Sequence, residues 1–308
     1  MSILRSLSAV LAAVAFVAST GGTAAASPKA TLLGPSLLPA VTDGRSAIVL
    51  GAGSDVRIFH DVASSPLRVI LPEGCRIVVA KSGTGASDCH VQDVPALQLV
   101  SLNTGAVRPL PGADAVTGRD IATTSFKAMG SQWIAGVFCV PGCENYALQW
   151  QTGAVRMFTD NHQFLPVTVL DSPALTIPAA TPYVTLRDDD LKSTWTYRRG
   201  STVKRLPIKP KRGTQISTVQ VNGWRTAWVT QQGTRSEPAV TTLNVKTGHR
   251  VTIPIARFQA ARHPRAPLTG VELAVTNRQL VVSYVPRGSA TPDGGGTDRV
   301  VTSLPWPR

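Results

Sequence analysis

One short phrase returns along this chain at an almost constant interval. It reads S-L-N-T-G-A-V-R around Gly105, L-Q-W-Q-T-G-A-V-R around Gly153 and L-N-V-K-T-G-H-R around Gly248. A degenerate copy, T-W-T-Y-R-R-G-S, puts Gly200 between the last two. The four glycines stand 48, 47 and 48 residues apart. A fixed period in the forties means that one structural unit is built repeatedly. Two apolar residues alternate before each turn: Val100 and Leu102, Leu148 and Trp150, Trp195 and Tyr197, Leu243 and Val245. Alternation marks a strand with a buried face, and the glycine supplies the positive φ of a tight reversal.

A second series of turns interleaves with the first. It comprises A-V-T-D-G-R-S-A-I-V-L around Gly44, F-K-A-M-G-S-Q-W-I around Gly130, V-Q-V-N-G-W-R-T-A-W-V around Gly223 and L-A-V-T-N-R-Q-L-V-V around Asn277. Asp-Gly and Asn-Gly between apolar runs predict two-residue hairpins with positive φ at both central positions. Gly130 precedes Gly153 by 23 residues and Gly223 precedes Gly248 by 25, so each unit holds two hairpins and hence four strands. Four strands in about 47 residues is the arrangement of a β-propeller blade.

The expected chain is therefore all-β, a propeller of about six four-stranded blades. The units run from about Pro39 to Leu71, Cys75 to Leu110, Ala122 to Phe158, Val167 to Ile208 and Ile216 to Ile255, with a sixth from Val271 to the C-terminus. The sixth is one strand short. Lys29 to Leu33, a strand candidate with no unit of its own, is expected to pair with the C-terminal strand and close the ring.

On these Thr-Gly units the chain resembles the secreted bacterial propellers of the TolB-like and WD-type repeat superfamily, over nearly all of residues 27–308. It departs from their pattern where an aspartate is usual before the turn, having Asn103, Gln151 and Lys246, and it has no Trp-Asp dipeptide. The resemblance implies a fold whose members include protein-binding platforms, lactonases, sialidases and redox enzymes. Fold alone does not choose among them.

The N-terminus reads as a secretory signal peptide over residues 1–26: Arg5, an apolar run from Leu7 to Ala18, and Ala24-Ala25-Ala26 before Ser27. The run is too short for a bilayer span, and no later segment is apolar for long enough. Residues 27–308 are expected to form one propeller domain, secreted or in the cell envelope, and monomeric. With 43% apolar and 16% charged residues, the full sequence suits a folded globular chain.

Export permits disulfides. Four cysteines allow three connectivities, and local pairs, Cys75 with Cys89 and Cys139 with Cys143, are favoured over zinc or free thiols. Cys139 and Cys143 face each other only if their hairpin loop has three residues.

Chemical motifs are scarce. There is no G-x-S-x-G, G-x-G-x-x-G, phosphate loop or H-E-x-x-H, and His60, His90, His162, His249 and His263 are scattered singly. Asp188, Asp189 and Asp190 are the candidates for chemistry, either as calcium ligands or as channel-mouth carboxylates of a hydrolase. A solvated hairpin loop accounts for the same triplet. No resident cofactor is expected, calcium being the one ion considered.

Charge gives a separate indication. Lysine and arginine number 31 against 18 acids, a net +13. Lys204, Arg205, Lys209, Lys211 and Arg212 cluster after the fourth unit, and Arg257, Arg262, His263 and Arg265 after the fifth. Such a field favours anionic partners, and secretion with no aromatic-interleaved basic motif argues against nucleic acid. Trp224, directly after Asn222-Gly223, is the tryptophan most suited to touching a ligand. Two functions follow: a non-catalytic binding module for a protein or an anionic envelope polymer, or a propeller hydrolase or lyase using channel-mouth carboxylates.

Overall fold

The computed structural model describes residues 30–89, 97–112, 125–129, 133–139, 143–158, 183–189, 192–199, 201–208, 214–232, 238–258, 269–286 and 299–307. Among them the chain is all-β apart from a 3₁₀ turn at Ile255–Phe258. After β1 (Thr31–Ser36), sheet I comprises β2 (Val41–Thr42), β3 (Ile48–Ala52), β4 (Asp55–Phe59) and β5 (Leu67–Ile70). Sheet II has β6 (Cys75–Lys81), β7 (Thr84–Cys89), β8 (Leu97–Ser101) and β9 (Val107–Pro109). Sheet III has β10 (Ser125–Met129), β11 (Trp133–Cys139), β12 (Cys143–Gln149) and β13 (Val155–Phe158). Sheet IV has β14 (Tyr183–Asp189), β15 (Lys192–Arg199) and β16 (Thr202–Arg205). Sheet V has β17 (Thr214–Asn222), β18 (Arg225–Gln232), β19 (Ala239–Asn244) and β20 (Arg250–Pro254). Sheet VI has β21 (Thr269–Val275), β22 (Gln279–Val285) and β23 (Arg299–Pro305).

Every sheet is an antiparallel meander in chain order. β1 joins sheet VI as its fourth strand by pairing with β23, Ser36 opposite Arg299 and Thr31 opposite Ser303. Sheet IV shows three strands. Its β15–β16 turn falls where Gly200 stands in the Thr-Gly series, so β14 corresponds to the second strand of a unit. The earlier part of that expected unit, from Val167, lies outside the described residues, as does the expected signal peptide.

The sheets pack face to face, and the apolar core lies between them. Leu33, Ile48, Leu50, Val281 and Val301 fill the space between sheets VI and I. Val49, Val56, Ile58, Cys75, Ile77 and Val100 fill that between I and II. Further clusters join II to III through Leu97, Leu99 and Tyr146, IV to V through Tyr197 and Trp228, and V to VI through Val229, Leu280 and Tyr284. A middle strand therefore buries both of its faces. In β18, Ala227 and Val229 face sheet VI while Trp228 between them faces sheet IV. This explains why such strands read as continuous apolar runs.

The Thr-Gly turns are copies of one geometry. Gly105, Gly153 and Gly248 have φ of 77°, 79° and 79°. Their N–H groups donate to the carbonyls of Ser101, Gln149 and Asn244 at 2.8, 2.7 and 2.7 Å. Thr104, Thr152 and Thr247 each accept, at Oγ1, the N–H two residues on. Threonine fastens the turn and glycine supplies the left-handed step.

The second series differs from its prediction. Among the described residues Ser82 is the non-glycine with positive φ, so the doubly left-handed pair is Ser82-Gly83 (φ 47° and 83°) rather than Asp43-Gly44 or Asn222-Gly223. Asn222 ends β17 opposite Arg225, leaving Gly223-Trp224 as the two-residue loop with glycine first. Asp43 works through its side chain: Oδ1 accepts the N–H groups of Arg45, Ser46 and Ala47 at 2.8, 3.0 and 3.0 Å.

Cys75 and Cys89 are bonded across β6 and β7, and both are buried. Cys139 and Cys143 are register partners across a three-residue loop, the loop length that their pairing requires.

Candidate anion-binding face

Both series of turns meet at one end of the sheets. In sheet II the Leu102 N–H donates to the Gly83 carbonyl at 2.9 Å, and in sheet V the Val245 N–H donates to the Trp224 carbonyl at 2.8 Å. The Gly105 and Gly248 turns are thus each backed onto the first hairpin of their own sheet.

In sheets IV and V this end is basic, and Trp224 stands at its centre. The half-buried indole stacks on Tyr197, with ring centroids 5.7 Å apart. The Arg199 guanidinium lies over the Trp224 ring at 4.8 Å. The Tyr197 hydroxyl donates to the Gly223 carbonyl at 2.7 Å; burial raises its pKa, with Arg199 acting against that. Arg225 lies 5.8 Å over Trp306, and Arg250 lies 5.5 Å over the buried Trp228. Lys204 crosses from sheet IV to donate to the Val245 carbonyl at 2.9 Å, beside the exposed Lys246 and His249.

Arg199, Lys204, Lys246 and Arg250 thus lie near Trp224 and Asn244 along sheets IV and V, while Arg225 lies on the opposite face of sheet V, over Trp306. The ion pairs found among the described residues, Arg68 with Asp55 and Arg76 with Asp88, belong to sheets I and II. A guanidinium laid on an indole is held in plane with its N–H edge pointing outward, a geometry suited to carboxylate or phosphate.

Turns from several sheets are tied together. Asn222 Nδ2 donates to the Gly44 carbonyl at 2.6 Å and to Asn277 Oδ1 at 3.3 Å. The Asn277 N–H donates to the Arg45 carbonyl at 3.0 Å. Asp43 Oδ2 accepts the Gly83 N–H at 2.9 Å, and the Asp43 carbonyl accepts the Ser82 N–H at 3.0 Å. One chain of hydrogen bonds therefore joins sheets V, VI, I and II.

The acids lie elsewhere. Asp188 and Asp189 end β14, where Asp189 pairs with Lys192 at the start of β15. Arg199, at the other end of β15, is seven residues on, roughly 23 Å of extended strand. Asp188 and Asp189 are therefore remote from Trp224. Asp190, Lys209, Lys211 and Arg212 lie outside the described residues. Glu272 stands on β21, and Thr218 Oγ1 donates to it at 3.1 Å. No cluster of three metal-ligating side chains occurs among the described residues.

Sequence reasoning singled out Trp224 and Lys204 but passed over Arg199, Arg225 and Arg250. A signal existed: an arginine stands two residues after Gly223 and after Gly248, and Arg199 directly precedes Gly200.

No family model matches this chain, and no curated protein matches it. Among solved structures it is similar to the β-propeller domain of the Trilobed protease from Pyrococcus furiosus. That likeness has 10% identity and a TM-score of 0.39, covering 90% of this chain and 83% of the other. An oligogalacturonate lyase in complex with manganese shows 7% identity and a TM-score of 0.39 over 82% and 83% of the two chains. A chain of the mitotic checkpoint complex shows 8% identity and a TM-score of 0.35 over 92% and 82%.

Proposed function

We propose that this chain is a secreted, non-catalytic propeller of six blades, closed through β1 and β23, that binds an anionic polymer of the cell envelope. The observation that carries the reading is the set of cations at this end of sheets IV and V. Arg199, Arg225 and Arg250 lie over the rings of Trp224, Trp306 and Trp228, and the described ion pairs involve none of these arginines, nor Lys204 or Lys246. A guanidinium already resting on a ring loses less conformational entropy when an anion is gripped. Long-range attraction from the net +13 raises the encounter rate. The residues at the centre of the face are arginines, lysines and tryptophan, which bind charge and stack but supply no general base at neutral pH.

The test is binding of the full chain to immobilised polyphosphate and to bacterial envelope fractions over a range of salt. Affinity should fall steeply with ionic strength, because exposed charges are screened. The triple variant Arg199→Gln, Arg225→Gln, Arg250→Gln should lose about tenfold or more in affinity and flatten the salt dependence. Equal binding by the triple variant and the unaltered chain would refute the reading.

A further inference from the structure

The Gly44 end of the turn face carries a second feature that the Trp224 group does not explain. Lys81, the last residue of β6, points its ammonium toward Gly44: a methyl placed on Gly44 would sit 3.5 Å from Nζ and 3.1 Å from Asn222 Oδ1. The side chain is half-buried, and loss of hydration lowers its pKa, with Arg45 acting in the same direction and Asp43 against. A desolvated ammonium carries three donors that need acceptors. Among the described residues Nζ forms no hydrogen bond and no ion pair.

The nearest acid is already committed. Asp43 is buried, and its two oxygens accept four backbone N–H groups. Arg45 is exposed beside it, and its charge acts on Lys81. Two cations, Lys81 and Arg45, thus share one carboxylate that is already engaged by four backbone N–H groups. An oxygen anion at this point would receive Lys81 directly and Arg45 from the rim.

We propose that this end of the turn face, at Gly44, holds one oxyanion group, a phosphate or a carboxylate, gripped by Lys81 with Arg45 at its rim. The group is either a free small anion or a charged group on a polymer, and the chemistry of the grip is the same for both. The site does not depend on the Trp224 group, which belongs to other side chains in sheets IV and V.

The experiment is amine acylation of the full chain, with modification of Lys81 followed by mass spectrometry. Inorganic phosphate, acetate and polyphosphate are added separately at matched ionic strength, with chloride as the control. Protection of Lys81 by about tenfold is expected from at least one of the three, and the one that protects names the source of the group. In parallel, Lys81→Met should abolish the saturable rise in melting temperature that inorganic phosphate or acetate gives. Arg45→Gln should weaken that rise. Acylation of Lys81 at the chloride rate in all three anions would overturn the proposal. So would an undiminished rise with phosphate or acetate in Lys81→Met. Should Lys81→Met fail to fold, the protection measurement on the unaltered chain decides alone.

Discussion

Asp43→Ala should be among the most damaging single changes in this protein, and the structure says by how much. The carboxylate accepts four backbone N–H groups, those of Arg45, Ser46, Ala47 and Gly83. Arg45 and Ser46 are exposed, so water replaces the lost acceptor there. Ala47 is 1% exposed and Gly83 is half-buried, so both of these N–H groups lose a partner that water cannot restore. An orphaned buried donor costs about 1–3 kcal/mol, and two give about 2–5 kcal/mol. Asp43→Asn keeps an oxygen for the three donors of its own turn but presents an amide to the Gly83 N–H. It should therefore cost about 1–2 kcal/mol. Urea unfolding followed by fluorescence measures both, with an unchanged denaturant slope confirming that stability alone has moved. A loss under about 1 kcal/mol in the alanine variant would refute this accounting. An asparagine variant as damaging as alanine would refute it too, because burial of the charge and not the number of donors would then be what matters.

Other outcomes follow from single contacts. Replacing Cys75 and Cys89 together by alanine opens a bridge of sequence separation 14 and should lower stability by about 3 kcal/mol, read from urea midpoints. Gly136→Ala would drive a methyl into the ring of its cross-strand partner Tyr146, costing about 1–3 kcal/mol, and Tyr146→Leu in the same chain should recover part of that. Burial, and secondarily the charge of Asp88, raises the pKa of the Tyr146 hydroxyl above its ordinary 10.0. The folded state therefore keeps that proton longer than the unfolded one. Its contribution is present below about pH 10 and is lost as pH climbs through the raised value. Tyr146→Phe should accordingly be less sensitive to alkali, which urea midpoints taken from neutral to about pH 11 would show.

The repeat was legible because its residues act locally. Thr104 and Gly105 make a turn out of their own backbone and side-chain atoms, so the phrase means the same in each sheet where it is seen. The pairing of β1 with β23 was also foreseeable, since an unpaired strand at one end matched a missing strand at the other. Asp43 was misread because its work is done across space: Asp-Gly signals a two-residue hairpin only when no carboxylate draws in neighbouring N–H groups, one of them from the next sheet. The arginines were missed for a related reason. Arg199 and Trp224 are 25 positions apart and in different sheets, and only packing reveals that one lies on the other. The clusters at Lys209, Lys211 and Arg212 looked more basic in sequence because adjacency is all that a sequence displays.

The bond between the first and last strands has a consequence in time. From Ser36 to Arg299 the chain runs 263 positions, and sheet VI cannot be completed until both ends are present. Closing a loop of that length carries an entropic term of about 5 kcal/mol, which no local turn can offset. The inner hairpins, each closed over a few residues, are free to form first, whereas the latch waits for the whole polypeptide. Synthesis and folding are thereby put in a fixed order, and a chain cut short at either end is left with a bare strand edge where the two should have met.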